Sequence, residues 1–263
     1  MAKFIWIKTM DNKQELIQKV IEDSLRKKLK TYKAESNNMP FHFRLLGKDR
    51  MALYSFIQSL NTTFGTSIFE PVAVELAKKN FSKVSSQFVV GNEISSTCQL
   101  QIQEIINNLT MGNPPNKERE LELIKKSYTA SKINNMKTVK VDLFLETKDG
   151  EKFLFDLKTA KPNISNFKDF KRTLLEWAGI IFTQDIKAKV NTLIAIPYNP
   201  YEPKPYERWT IKGMLDDKKE LMVGKEFWDF LGGEGSYEYL LDCFEKAGMS
   251  MRNEMDYYFS KFI

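Results

Sequence analysis

Residues 140–163 read KVDLFLETKDGEKFLFDLKTAKPN and are the most informative segment of this chain. Two apolar runs flank a short polar turn, Lys148–Asp149–Gly150. A three-residue hairpin loop places Gly150 in the left-handed conformation that the bulge of such a loop requires. The stretch therefore predicts two antiparallel strands joined by a tight turn.

The register of this hairpin gives it one apolar face and one charged face. On the charged face Asp142 lies opposite Asp156, and Lys158 follows two residues later. A two-residue turn at Asp149–Gly150 would instead pair Asp142 with Leu157, and a slip of one residue moves every side chain to the other face. The matching of apolar residues across the strands selects the three-residue loop.

Two carboxylates facing each other across a strand pair need a compensating cation. Like charges directly opposite are destabilising. Hard divalent cations take oxygen ligands, and Mg²⁺ is typically held by one or two carboxylates together with substrate phosphate. Asp142 and Asp156 are therefore candidate Mg²⁺ ligands, and the ammonium group of Lys158 can orient an attacking water beside them.

Composition restricts the class of protein. The chain has 263 residues, 42% of them apolar, which is enough for a folded core. Its net charge of +6 mildly favours a polyanionic partner. We expect no membrane span and no secretory signal. The single histidine excludes multi-histidine metal centres, and two distant cysteines suit a reducing cytoplasm rather than a disulfide framework.

The spacing Asp142-x13-Asp156-x-Lys158 closely resembles the signature of the PD-(D/E)XK nuclease superfamily. Val141 stands where that superfamily often has proline. Several Asp/Glu-x-Lys triplets occur in the chain. Only the one beginning at Asp156 lies in an apolar run, FLFDL, with an acid-bearing partner strand at the right distance.

Longer blocks resemble a narrower group. Residues 45–50 (LLGKDR), 59–71 (SLNTTFGTSIFEP) and 226–233 (EFWDFLGG) are, together with the hairpin, similar to the TdeIII-like type II restriction endonucleases. The resemblance spans about residues 41–248. It implies a Mg²⁺-dependent enzyme of prokaryotic cytoplasm that cuts duplex DNA at a short symmetric site, leaving 5′-phosphate and 3′-hydroxyl ends. It also implies a homodimer beside a protective DNA methyltransferase.

Two other functions stay open on the sequence. One is a repair or junction-resolving nuclease of the same fold, which would nick branched DNA instead of producing discrete fragments. The other is a non-catalytic DNA-binding module, against which the intact acidic pair and lysine argue. In the nuclease hypotheses Asp142 and Asp156 bind the metal, with the backbone carbonyl of Leu157 as a further ligand.

The order of predicted elements indicates an α/β fold with a restriction-endonuclease-like core, a mixed sheet flanked by helices. Helices come first, then strand–turn–strand–helix–strand, with the last strand at 192–196. We expect one endonuclease domain over residues 1–263. It has a helical N-terminal elaboration at 1–60, the catalytic core at 61–200 and a C-terminal helical region at 201–263.

Glu70 has two competing interpretations. The sequence predicts a polar break at 62–67 and a helix over 68–81. The superfamily often adds an acidic residue from such a helix to the metal site, which makes Glu70 a candidate catalytic residue. Ser67-x-x-Glu70 is equally a capping-box pattern.

Basic and polar residues near the hairpin are candidate contacts to the DNA backbone. Lysines next to a nuclease centre can neutralise phosphates, although such residues are also common on solvated surfaces. The candidates are Lys140, Lys161, Asn163, Lys168, Lys171 and Arg172.

Overall fold

The structure, a computed structural model, describes residues 2–33, 39–130, 132–137, 140–158, 160, 167–207 and 213–262, with side chains from residue 15 onward. Lys161 and Asn163 lie outside these residues, so their predicted DNA contacts stay predictions. The chain divides into two compact units, residues 1–75 with 235–263, and residues 76–234.

Helices predominate over strands along the chain. The helices are α1 (Ala2–Thr31), α2 (Pro40–Leu46), α3 (Lys48–Thr63), α4 (Glu70–Ala77), α5 (Ser96–Thr110), α6 (Lys117–Ser127), α7 (Phe167–Gln184), α8 (Lys225–Gly232), α9 (Ser236–Ser250) and α10 (Arg252–Phe259). The strands are β1 (Lys83–Phe88), β2 (Glu93–Ser95), β3 (Ile133–Asn135), β4 (Val141–Glu146), β5 (Lys152–Leu157), β6 (Val190–Ile196) and β7 (Leu221–Val223). Within the residues that the structure describes, no helix is both long and apolar enough to cross a membrane.

The first unit is helical and carries its own aromatic core. Phe56 of α3 is buried and packs against Tyr32, Tyr258 and Phe259, with ring centroids 5.3 to 5.8 Å apart. Such edge-on and tilted contacts between rings add to the stabilisation from apolar burial. Helices from both ends of the chain therefore meet in one core.

The predicted break at 62–67 is wrong. A π-helix at Phe64–Phe69 joins α3 to α4 without interruption. Glu70 has helical dihedral angles, φ −61° and ψ −52°, so the helical backbone continues from the π-helix into α4 with no free N-terminus. The capping interpretation of Glu70 is therefore wrong, because a capping box requires a free helix N-terminus.

The second unit is built on a five-stranded mixed sheet in the order β1-β4-β5-β6-β7. The pairs β1–β4 and β4–β5 are antiparallel, whereas β5–β6 and β6–β7 are parallel. Helix α7 connects β5 to β6, as a parallel pair requires a crossover. Strands β2 and β3 form a separate antiparallel pair. The predicted α/β fold with a helix-flanked mixed sheet is confirmed.

The hairpin has the predicted register. Leu143 pairs with Phe155 and Leu145 with Phe153. The backbone N–H of Thr147 donates to the Glu151 carbonyl oxygen at 2.9 Å, which closes a three-residue loop. Gly150 has a φ of +77°, the left-handed conformation that the turn requires.

Both faces of the hairpin are covered by apolar groups. Phe153 and Phe155 pack against the ring of Phe230 from α8, with centroids 5.1 and 5.9 Å away. On the opposite face, Phe144 and Leu154 join the large core formed with α5 and α7. The hairpin therefore lies between helices, with apolar packing on both of its faces.

Strand β1 is an element that the sequence does not reveal. Four of its six residues, KVSSQF, are polar, and its apolar side chains do not alternate regularly. It is the edge strand beside β4, so only one side of it is paired. An edge strand tolerates this composition because much of its surface faces solvent.

Candidate active site

Asp142 and Asp156 lie together at one end of the sheet. The register of β4 and β5 places them opposite each other, just beyond the Leu143–Phe155 pair. Asp156 is buried, with 6% of its surface exposed, and Asp142 is partly buried. The hairpin therefore brings two carboxylates to one spot, as its alternation predicts.

The surroundings of Asp156 favour its protonated form. The pKa of Asp156 is raised to about 6, mainly by burial, and the like charge of the neighbouring Asp142 carboxyl contributes in the same direction. The ammonium group of Lys158 acts in the opposite direction, lowering the pKa, but does not outweigh burial. An additional positive charge at this place would favour the ionised carboxylate.

Lys158 is held on the same face as the aspartates. Its backbone N–H donates to the Ala195 carbonyl oxygen at 2.9 Å, which extends the pairing of β5 with β6. Its Nζ lies 2.5 Å from Oδ1 of Asp156 and 4.6 Å from the ring centroid of Phe170 on α7. The ammonium group is thus fixed between a carboxylate and an aromatic face, an arrangement that favours a cation.

The arrangement fits a hard cation. Oδ2 of Asp142 accepts the backbone N–H of Leu157 at 2.8 Å, and each carboxylate keeps further lone pairs for a metal ion. In the described part of the chain, no group of three or more His, Cys, Asp or Glu side chains could hold a metal. A cation at Asp142 and Asp156 would therefore need oxygen ligands from the backbone, water or phosphate, a set that suits Mg²⁺.

The predicted DNA contact of Lys171 is wrong. Lys171 is fully buried on α7, and its Nζ forms ion pairs with Glu120 and Glu220, 2.6 Å from Oε2 of the latter. Helical spacing groups it with the charged Lys168 and Arg172, away from the apolar stripe. The sequence does not show that two acids from distant segments meet it there.

These groups belong to a buried charged cluster, which we define as Lys117, Glu120, Lys171 and Glu220. Lys117 contributes an ion pair to Glu220 at 2.9 Å, and its Nζ also donates to Thr192 of β6. Burial alone would raise the pKa of Glu220, but the two neighbouring ammonium groups lower it overall. The cluster carries two charges of each sign and links α6, α7, β6 and the segment before β7.

The other predicted DNA contacts differ in exposure. Lys140 and Lys168 are exposed, so both can reach a phosphate. Arg172 is partly exposed, and its Nη2 donates to Oε1 of Gln103 at 2.7 Å. Glu70, the candidate for the metal site, is 3% exposed. Its predicted part in that site stays a prediction.

Gln87 of β1 is a site residue that sequence reasoning does not identify. Its Nε2 donates to Oδ1 of Asp142 at 3.3 Å. A lone glutamine in a polar segment has no distinguishing pattern, and the edge strand that carries it is itself not predicted. Only the pairing of β1 with β4 brings it to the aspartates.

Comparison with known proteins gives a consistent result. A sequence model of the HinfI type II restriction endonuclease family matches residues 9–248. The chain is 25% identical over 220 residues to the type II restriction enzyme HgiCII of Herpetosiphon aurantiacus, covering 82% of this chain and 80% of that protein. It is 29% identical over 227 residues to the type II restriction enzyme MjaII of Methanocaldococcus jannaschii, covering 75% and 59%. The similarity to the TdeIII-like group is not confirmed.

Proposed function

The chain belongs to the HinfI family of type II restriction endonucleases, and we propose that it cuts duplex DNA at a short specific site by Mg²⁺-dependent hydrolysis. The observation that supports the chemistry is the grouping of Asp142, Asp156 and Lys158 on one face of the sheet. Their spacing in the sequence and their placement at one sheet end agree with a single hydrolytic centre.

In this proposal Asp142 and Asp156 hold the metal ion, and the Leu157 carbonyl supplies a further oxygen. Bound Mg²⁺ supplies Lewis-acid stabilisation of the phosphate charge and lowers the pKa of a coordinated water. Burial of Asp156 lowers the local dielectric constant around its carboxylate, so a nearby positive charge interacts with it more strongly there.

Lys158 acts on the nucleophile. Its Nζ is already positioned 2.5 Å from Asp156 and is restrained by Phe170, so it presents its N–H donors at the metal site with little loss of freedom. It orients the attacking water and stabilises the non-bridging oxygens of the scissile phosphate. In-line attack leaves a 5′-phosphate and a 3′-hydroxyl.

Substrate and partners follow from the same proposal. Lys140, Lys168 and Arg172 contact phosphates on either side of the cut, together with Lys161 and Asn163. Glu70 stays a candidate catalytic residue, as the superfamily resemblance implies. The protein works as a homodimer on double-stranded DNA in a prokaryotic cytoplasm, where a methyltransferase of the same specificity protects the host genome.

The test removes one carboxylate at a time. We expect Asp142→Ala and Asp156→Ala each to abolish cleavage of phage DNA in Mg²⁺, because the one carboxylate that remains does not hold the metal ion. Specific binding, measured by gel shift in Ca²⁺, should survive. Asp149→Ala is the matched control, since Asp149 is an exposed acid in the turn of the same hairpin.

A variant lacking Asp142 or Asp156 that cuts at nearly the wild-type rate would remove that residue from the site. End sequencing of the wild-type fragments tests the specificity in the same experiment. Cleavage at one defined sequence supports a restriction enzyme. Nicks confined to branched DNA would support a junction nuclease instead.

A further inference from the structure

Gln87 has an unusual backbone conformation one residue before the end of strand β1, between two paired residues. Its φ is +51°, and no other non-glycine residue in the described part of the chain has a positive φ. Left-handed dihedral angles are uncommon outside glycine, and among other residues Asn, Asp and His adopt them most often. A glutamine there is strained, and a strained residue persists only where its surroundings determine it.

The neighbours of Gln87 fix the strand on both sides of it. Ser86 pairs with Leu143, and Phe88 pairs with Val141. The ring of Phe88 stacks on Phe144 with centroids 4.2 Å apart. Beyond the strand, Nε2 of Gln184 donates to the Val90 carbonyl oxygen at 2.8 Å. The conformation therefore belongs to a strand anchored at both ends and not to a frayed terminus.

The strained residue faces Asp142. Continuing the register of β1 and β4 places the two residues opposite each other, between the Ser86–Leu143 and Phe88–Val141 pairs. The Gln87 amide donates to Oδ1 of Asp142 at 3.3 Å, while Oδ2 accepts the Leu157 N–H at 2.8 Å. Each oxygen of the carboxylate is thus held by a donor from a different neighbouring strand.

We propose that Gln87 is a positioning residue that fixes the Asp142 carboxylate for cation binding. This inference rests on the proposed function, because it assumes that Asp142 is a metal ligand. A neutral amide suits this role, because it sets the rotation of the carboxylate without neutralising its charge. A lysine or arginine at position 87 would compete with the cation. Groups that orient metal-binding carboxylates in this way typically contribute about 10–100-fold to metal affinity or activity.

The test compares two substitutions that distinguish the effect of the side-chain amide from the effect of the backbone strain. Gln87→Leu keeps a side chain of similar length and the backbone strain, but removes the donor. Gln87→Gly removes the donor and also relieves the strain, because glycine adopts positive φ freely. For both variants we expect the Mg²⁺ concentration for half-maximal cleavage to rise about 10–100-fold.

A second readout does not depend on activity. Mg²⁺ binding to the folded protein raises its Tm to an extent set by affinity and concentration. We expect both variants to require about 10–100-fold higher Mg²⁺ concentrations than wild type for the same rise in Tm. In the metal-free state Gln87→Gly should melt no lower than wild type. Ser86→Gly is the control, since Ser86 is the exposed neighbour on the same strand: it should melt lower with unchanged Mg²⁺ dependence.

Two results would overturn the inference. One is wild-type Mg²⁺ dependence of both cleavage and Tm in Gln87→Leu. The other is a Mg²⁺ requirement in Gln87→Gly equal to that of wild type. That result would show that the backbone conformation, and not the side-chain amide, affects Mg²⁺ binding. Asp156→Ala, measured in parallel, separates this inference from the proposed function. If it cuts DNA at nearly the wild-type rate, the proposed metal site at Asp142 and Asp156 fails; if it is inactive while Gln87→Leu behaves as wild type, only the role of Gln87 fails.

Discussion

At the scale of single residues, the site balances burial against charge. Asp156 is removed from water, and its partner Lys158 compensates only part of the cost of ionising it. Asp142 adds a like charge to the same spot. The metal-free site is therefore electrostatically unfavourable at neutral pH, which is expected of a site built to receive a cation.

This imbalance predicts a pH-dependent stability difference for Asp156→Asn. The pKa of Asp156 is raised from 3.8 to about 6, so the folded protein binds more protons than the unfolded chain between these values. The stability that Asp156 contributes is fully present below pH 3.8 and is lost as the pH rises through 6. With chelator present, the free energy of unfolding of Asp156→Asn should rise relative to that of wild type as the pH increases. The difference should reach a limit of about 3 kcal/mol above pH ~6.

Urea unfolding of both proteins from about pH 4 to pH 8 measures this difference in the free energy of unfolding. A constant difference across that range would show that Asp156 titrates as an ordinary exposed carboxyl. The Asp149→Asn variant is the reference for removal of an exposed charge from the same hairpin.

The proposed role of Lys158 predicts that its removal affects the chemical step and not DNA binding. We expect Lys158→Ala to slow the chemical step about 10²–10⁴-fold, the usual contribution of a positioned acid–base group, with little change in DNA affinity. Single-turnover cleavage at saturating enzyme isolates that step. A loss confined to affinity would make Lys158 a phosphate anchor instead.

At the scale of elements, the buried charged cluster holds helices against the sheet. Glu220 directly precedes β7 and forms ion pairs with Lys117 of α6 and Lys171 of α7. All three side chains are at most 5% exposed. Removing one member of a buried pair is far more costly than removing an exposed pair, because a charge is left without a partner in the interior.

We therefore expect Glu220→Gln to lower the free energy of unfolding at neutral pH by about 3–5 kcal/mol. The lowered pKa of Glu220 makes this contribution present above pH 4.5 and lost as the pH falls further, so the variant should differ least from wild type in acid. Chemical unfolding at neutral pH and at about pH 3 tests this. Lys219→Ala, which removes an exposed ion pair with Glu118, is the control and should leave Tm unchanged.

In the whole molecule, the proposed function requires a chain of 30.7 kDa with one proposed hydrolytic centre to cut both strands of DNA. A palindromic site is two-fold symmetric, and two centres related by the same axis cut both strands in one encounter. Closed two-fold dimers are also the commonest oligomers. Each subunit would then read one half-site, with phosphate contacts setting the register.

Light scattering on the DNA complex should therefore give two protomers per site. Supercoiled plasmid should pass to the linear form without accumulation of nicked circles. One protomer per site with persistent nicked circles would count against a dimer. Asp156→Ala mixed with wild type provides a positive control, since mixed dimers should nick.

Local sequence patterns are sufficient to predict the hairpin and the grouping of its charges. Strand alternation and turn geometry are local, so Asp142, Asp156 and the left-handed Gly150 follow from residues within one short stretch. The family resemblance likewise rests on the order of residues along the chain, although the matching family is HinfI.

Which charges are buried, and which side chains face the aspartates, depends instead on the packing of distant segments. Lys171 has the helical spacing of a surface lysine, but its partner Glu220 lies 49 residues away, and long-range packing removes both from water. The continuous π-helix before Glu70 and the edge strand that carries Gln87 have no local signal either. Such features depend on contacts between distant segments, which periodicity and propensity do not encode.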